Sequence, residues 1–369
     1  MRTAVTKKTG RFFPILFALL WAIAGGVLLA ARSSAQFAEL VFAQKLYRVY
    51  RTAIAHLTGA LPFCLAEWVL YAFVAGVLIA LTLWCVHMIS GRGRRGRIFL
   101  RGCLHSLSLL GVVFFLFVFG CGGNYYRATY AQLAGCTVEP ATQEELYALC
   151  TSLAQQANTL REELAAYEDG DGVFSLPYSL DTLGEAASAA MTRLGAQEPS
   201  LAGYYPRPKQ VAWSRALSRF GITGVYFPFT VEANVNVDAP DYTIGAAMCH
   251  ELSHVAGFMR EGEANYLAYR ACLGSEDPVL AYSGTMLALS YAVDALDSAQ
   301  SLQVWQSLDA TVLRDLAAAS AYWSQFENTV TTALGETIND TYLRANNQSG
   351  GIQSYGEMVD LLLAELRQK

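Results

Sequence analysis

Two hydrophobic patterns follow one another along the chain. Over the first 126 residues the apolar positions are concentrated in three long runs. Phe12 to Ala31 is a run of 20 residues without a charge, Trp68 to Ser90 is a run of 23, and Gly102 to Tyr126 is a third, centred on LLGVVFFLFVFG. As a helix each is long enough to cross a hydrocarbon core of about 30 Å. The pattern therefore predicts three transmembrane helices at about 12–31, 68–90 and 102–123, forming a membrane domain over residues 1–126. A signal peptide would also explain the basic start MRTAVTKKTGR and the small residues of RSSAQ, but the run is long and two more spans follow, which favours an uncleaved helix.

From residue 127 onward apolar residues recur at helical spacing. Thr142 with Glu145 has the form of a capping box, and Leu146, Leu149, Leu153, Leu160 and Leu164 continue one face. EDGDGVFSLPYS closes that helix as a loop. Further helices are expected at roughly 180–195, 208–219, 277–298 and 301–326, and Ser354 with Glu357 opens a last one. One stretch departs from the pattern. Gly224 to Val237, GVYFPFTVEANVNV, is aromatic and β-branched, and Pro228 within it suits an edge strand or a bulge. The fold class expected is mainly α: three transmembrane helices, then a mostly helical domain over residues 127–369 with a short edge strand.

Composition sharpens this division. The chain is 53% hydrophobic and 15% charged, too apolar for an ordinary soluble protein. Residues 1–126 hold 13 Lys and Arg against 2 Asp and Glu, whereas residues 127–369 hold 13 against 29. An acidic second part excludes charge-driven nucleic-acid binding. Arg2, Lys7, Lys8 and Arg11 precede the first span, and Arg92, Arg94, Arg95, Arg97 and Arg101 crowd the loop between the second and third. That bias is moderated by Arg32, Lys45, Arg48 and Arg51 in the first loop. It places the N-terminus in the cytoplasm and residues 127–369 outside a plasma membrane. No Asp, Glu or Lys lies within the three runs, which argues against a transporter or channel. Cys136, Cys150, Cys249 and Cys272 lie in the second part. Their spacing fixes no disulfide pairing, and buried free thiols fit equally well.

Chemistry concentrates in MCHELSHVAGFMREGEANYLAYRAC, Met248 to Cys272. His250 and His254 are four apart, so on a helix both imidazoles leave one face and can share one ion. Glu251, between them, is placed to act on water. This is the HExxH arrangement of two zinc ligands and a general base. Outside the membrane part these are the only histidines; His56, His87 and His105 read as interfacial or packing residues. Ile244, Met248, Leu252 and Val255 give the helix an apolar face, and Gly257 is placed to stop it. A reversal there would bring a third ligand back. Glu261 is favoured, with Asn265 one turn later able to orient a histidine from behind. Glu263 is the alternative ligand, or else a solvated surface carboxylate.

The motif resembles that of the glutamate-zincins, which take their third ligand from a following helix. EGEAN resembles the ExxA[DN] form of that helix in the CAAX prenyl protease type of membrane protease and in the ImmA/IrrE peptidases, where the first glutamate is the ligand, here Glu261. Three N-terminal spans, NYYR, VYFPFTVEANVN, HELSHVAGFMREGEANYLAYRAC and SYGEMVDLLLAEL together resemble the bacterial domain-of-unknown-function family 3810. The resemblance implies a metalloprotease-like membrane protein with a zincin-like outer domain. The expected function is zinc-dependent hydrolysis of peptide bonds by a metal-activated water, with Glu251 as base, Zn²⁺ as cofactor and a peptide or protein of the cell envelope as substrate. Tyr226, Tyr342 and Tyr355 are available to steady an oxyanion, but none is singled out from packing residues. A metal-binding sensor or scaffold without catalysis remains open, as does an interaction module in which HExxH is coincidental.

Overall fold

The structure, a computed structural model, describes residues 5–327, 329–346 and 357–367. The chain forms two compact units. The first takes Met1–Tyr50, Leu65–Arg127 and Pro228–Thr230, and the second takes Arg51–Cys64, Ala128–Phe227 and Val231–Lys369. The observed grouping is not two continuous pieces: relative to a division at residue 126, Arg127 and 228–230 join the first unit and 51–64 joins the second.

In the first unit α1 (Val5–Ser33) leads through a π-helix (Phe37–Tyr47) into α2 (Arg48–Gly59), whose opening turn alone belongs here; α3 (Leu65–Ser90) and α4 (Arg95–Gly120) follow. Leu16–Ser33, Leu65–Ser90 and Arg95–Gly120 are long and apolar enough to cross a membrane. The three helices expose many large apolar side chains, Leu78, Ile79 and Ile89 among them. α1 meets α4 where the Trp21 indole N–H donates to the Leu107 carbonyl at 3.1 Å. Gly111 makes room for that ring: a Cβ there would lie 2.5 Å from the indole nitrogen. The third apolar run stops being α-helical at Gly120 and tightens into a 3₁₀ turn, Gly122–Tyr126. Gly120 packs against the backbone of Pro228, where a side chain would collide. Arg127 then forms a buried two-point ion pair with Glu39, at 2.9 and 3.0 Å.

The second unit is mainly helical: α5 (Tyr130–Ala134), α6 (Gln143–Glu163), α7 (Leu180–Gln197), α8 (Ser214–Arg219), α9 (Asp241–Val255), α10 (Glu261–Leu273), α11 (Pro278–Asp294), α12 (Ser298–Gln306), α13 (Ala310–Ser324), α14 (Val330–Ala345) and α15 (Glu357–Leu366). The Thr142–Glu145 capping box is present. α9 lies at the centre, against α7, α10 and α11 on its helical sides and the sheet on another. Ile244, Met248, Leu252 and Val255 are all buried, as their spacing requires.

The sheet corrects the expectation of one edge strand. Among the described residues β1 (Lys209–Gln210), β2 (Gly224–Phe227) and β3 (Glu232–Val235) pair in the order β1-β3-β2, with β3 parallel to β1 and antiparallel to β2. Pro228 falls in the hairpin turn, where its missing N–H costs no ladder bond. Val231, with φ at 54°, helps to close it. The helix expected at 208–219 begins only at Ser214, because Lys209 and Gln210 pair with Asn234 and Val235. The helix expected at 301–326 is two. It breaks before Asp309, the N-cap residue of α13, while the Asp297 carboxylate caps α12. The helix expected to 298 ends at Asp294. Ser354 lies outside the described residues.

Candidate metal centre

The centre is built by the end of one helix and the start of the next. Gly257, at φ 93°, ends α9 with two bonds, Phe258 N–H to the Ser253 carbonyl at 3.1 Å and Gly257 N–H to that of His254 at 2.9 Å. This is a Schellman closure, which needs the left-handed residue that glycine supplies without strain. The same closure does a second job: the Phe258 carbonyl lies 2.7 Å from His254 Nδ1 and accepts its proton. Three residues later α10 begins at Glu261 and packs on α9.

His250, His254 and Glu261 offer ligand atoms that all lie within 4.8 Å of one another. Glu261 Oε2 is 3.2 Å from His250 Nε2, and Oε1 is 3.7 Å from His254 Nε2. The imidazoles stand at right angles with centroids 4.7 Å apart. Asn265, one turn along α10, accepts from His250 Nδ1 at 2.7 Å. Both Nδ1 atoms are thus engaged, and both Nε2 atoms are turned toward the Glu261 carboxylate.

Burial and mutual charge set the protonation of the cluster. Burial works against a charged His250, but the Glu261 hydrogen bond and the nearby carboxylates outweigh it and push its pKa up to about 9. Burial pulls His254 down to about 4 against the attraction of Glu261. Burial raises Glu261, and the two histidines overturn this and hold it below its ordinary range. Between about pH 4 and about pH 9 His250 therefore carries a proton that it directs at the Glu261 carboxylate, while His254 is neutral. Those donors, two imidazole nitrogens and a carboxylate, are a set that can hold Zn²⁺ or another transition-metal ion.

Glu251 faces β2. In the antiparallel ladder Asn236 N–H bonds the Thr223 carbonyl, which by alternation leaves the N–H groups of Gly224 and Tyr226 pointing away from β3. Tyr226 N–H is a backbone donor to the Glu251 carboxylate. Gly224 lets the strand come this close: a Cβ there would lie 2.5 Å from Glu251 Oε1. The other oxygen, Oε2, is buried without a hydrogen-bond partner. Burial first, then the charge of Glu261, push the Glu251 pKa up to about 8, against His250 and the Tyr226 N–H. An orphaned oxygen and a raised pKa suit a group that takes up a proton near neutrality.

Glu263 lies elsewhere. It is buried and accepts from Tyr130 N–H at 2.6 Å and from Arg260 at 3.3 Å. It is neither beside the histidines nor a solvated surface carboxylate, because two residues along a helix turn a side chain by more than half a circle. Tyr226 has its ring 6.2 Å from that of His254; the Tyr342 side chain and Tyr355 lie outside the described residues. All eight cysteines are free thiols. Sequence reasoning missed Gly224, the Phe258 carbonyl and Tyr291 of α11, which lies beside Asn265 and has its pKa pushed up to about 12 by burial. An aromatic-rich strand beside HExxH hints at the first; a backbone oxygen and one tyrosine among twenty carry no signal.

Fold and site define a mainly helical protein with three apolar N-terminal helices and a His–His–Glu cluster in which a fourth residue, a buried glutamate, stands beside the histidines. The chain belongs to the DUF3810 family of proteins of unknown function, whose model matches residues 42–363. No curated protein and no solved structure matches it.

Proposed function

We propose that the protein is a membrane-anchored, zinc-dependent peptidase of the glutamate-zincin kind, with His250, His254 and Glu261 as ligands and Glu251 as general base. The observation that carries this reading is the convergence of two Nε2 atoms and the Glu261 carboxylate, with the orphaned Glu251 Oε2 on the neighbouring residue. Zinc bound to these side chains would supply a Lewis acid that polarises a peptide carbonyl and activates water. The chain's own residues do the rest. Asn265 and the Phe258 carbonyl fix the rings, Glu251 accepts a proton from water and returns it to the leaving amine, and burial keeps its pKa near neutrality. The outward edge of β2 borders Glu251 and suits backbone pairing with an extended peptide.

In this reading α1, α3 and α4 cross the plasma membrane. The arginine-rich α3–α4 loop is cytoplasmic, the second unit faces the cell envelope, and the substrate is a peptide or protein there. The test is elemental analysis of the full chain, purified in detergent and dialysed, for wild type, His254→Ala and Glu251→Gln, followed by peptide cleavage. The expected result is near one zinc per chain, lost in His254→Ala and kept in Glu251→Gln, with cleavage at least ~100-fold slower in the latter. Zinc without cleavage in the wild type would make the protein a metal-binding sensor or scaffold. A folded wild type that takes up no zinc would overturn the proposal.

A further inference from the structure

The densest run of charge in the first unit is a cluster of arginines between α3 and α4. Between Glu67 and Glu139 the sequence has no acidic residue, while Arg92, Arg94, Arg95, Arg97 and Arg101 fall within ten positions of one another. All five arginines are exposed. Among the described residues none has a carboxylate within ion-pair distance, although Arg127, in the same unit, is fully paired with Glu39. Arg95 donates to the Met88 carbonyl at 3.0 Å, which fixes the turn onto the end of α3. Gly93, at φ 82°, completes the turn. No acidic residue lies in the first turn of α4, and no side chain caps that helix. Its positive end therefore adds to the arginines where a carboxylate would ordinarily offset it.

Apolar side chains border the patch. Ile89 is 72% exposed, Phe99 51% and Leu100 59%. Charge alone would suit any polyanion. Large exposed apolar groups beside arginines at the mouth of two helices long enough to cross a membrane suit one kind of partner, a phosphate that carries acyl chains.

The geometry points to the α3–α4 turn as a binding surface for anionic phospholipid headgroups. The arginines hold the phosphates, and Ile89, Phe99 and Leu100 lie along the first methylenes of the chains. This inference rests on the reading that α1, α3 and α4 cross a membrane, and it adds the class of lipid selected.

The test incorporates the full chain into nanodiscs of phosphatidylcholine alone and of phosphatidylcholine with phosphatidylglycerol at 7:3. It then quantifies the lipids that stay with the protein on mild detergent release. The wild type is expected to retain phosphatidylglycerol several-fold above its bulk share. Replacing all five arginines by glutamine should return the retained ratio to the bulk value, and replacing them by lysine should keep most of the enrichment. Sodium chloride at 1 M should abolish enrichment in the wild type, a control independent of any variant's folding. Soluble inorganic phosphate at the lipid's concentration should leave it unchanged, which separates a lipid site from a phosphate site. Equal retention by wild type and glutamine variant overturns the inference while insertion into phosphatidylcholine discs upholds the membrane reading. A protein that stays in the aqueous phase without detergent overturns both.

Discussion

Two glutamates two positions apart illustrate how one residue's surroundings decide its role. Glu261 touches both histidines, whereas Glu263 holds the backbone of Tyr130 and the Arg260 guanidinium. Glu261→Gln is expected to lose bound zinc and, because it leaves the buried His250 without its carboxylate, to lower the melting temperature before metal is added as well. Glu263→Gln should keep the site but lower stability by roughly 1–3 kcal/mol, the cost of weakening a buried charge-assisted bond; metal content, measured beside thermal melts, distinguishes the two. His250 gives a pH dependence. With its pKa raised to about 9, and His254 lowered to about 4, one proton must leave the ligands at neutral pH before an ion binds. Apparent zinc affinity should rise about tenfold per pH unit from pH 6 to near 9 and then level off, as a competitive chelator titration would read. That Glu261 and not Glu263 lies beside the histidines was legible in the sequence because helical geometry turns the two apart and Asn265 follows on the face of Glu261. The partner of Glu263 was not, since Tyr130 lies more than a hundred residues away.

Local sequence wrote the helices more clearly than the sheet. α6 and α7 begin at capping hydroxyls, Thr142 and Ser179, whose N–H partners follow three residues later. Such signals are contained in four residues. β1 exists only because Lys209 and Gln210 meet Asn234 and Val235, a pairing that no local pattern records. The turn between α9 and α10 is local and correspondingly legible. Gly257→Ala forces a Cβ into left-handed backbone and should cost about 1–2 kcal/mol, and because the same turn presents the Phe258 carbonyl to His254, zinc affinity should fall with stability. Equal zinc binding in a destabilised variant would show that His254 does not depend on that carbonyl. The first turn of α6 carries an acid-sensitive contact. The Arg367 guanidinium and the Thr142 N–H hold Glu145 at about 2, well below its ordinary 4.5. Its contribution is complete above about pH 4.5 and is lost as the pH falls toward 2. Glu145→Gln should therefore flatten the acid limb of the stability curve in that window, followed by helical circular dichroism.

For the whole molecule, composition told of three apolar runs and an acidic remainder, and the structure carries three helices of that length and character. What composition could not tell is that neither unit is a continuous piece of chain. The chain passes between them five times. Segment 51–64 serves the second unit: Arg51 donates to the Val255 carbonyl at the end of α9 and to Ala202 at 3.1 and 2.7 Å, and Cys64 donates to Asn234 at 3.0 Å. A protease cut in the exposed stretch around Glu139 should therefore leave two pieces that elute together in gel filtration and part only in denaturant. Pieces that part in native buffer would show that residues 51–64 are dispensable to the second unit. The same threading bears on descent. Neither half could have been gained or discarded by joining or trimming genes at one point, because no single point separates the two. The family match, which runs from 42 to 363 without stopping at 127, accordingly takes in parts of both units.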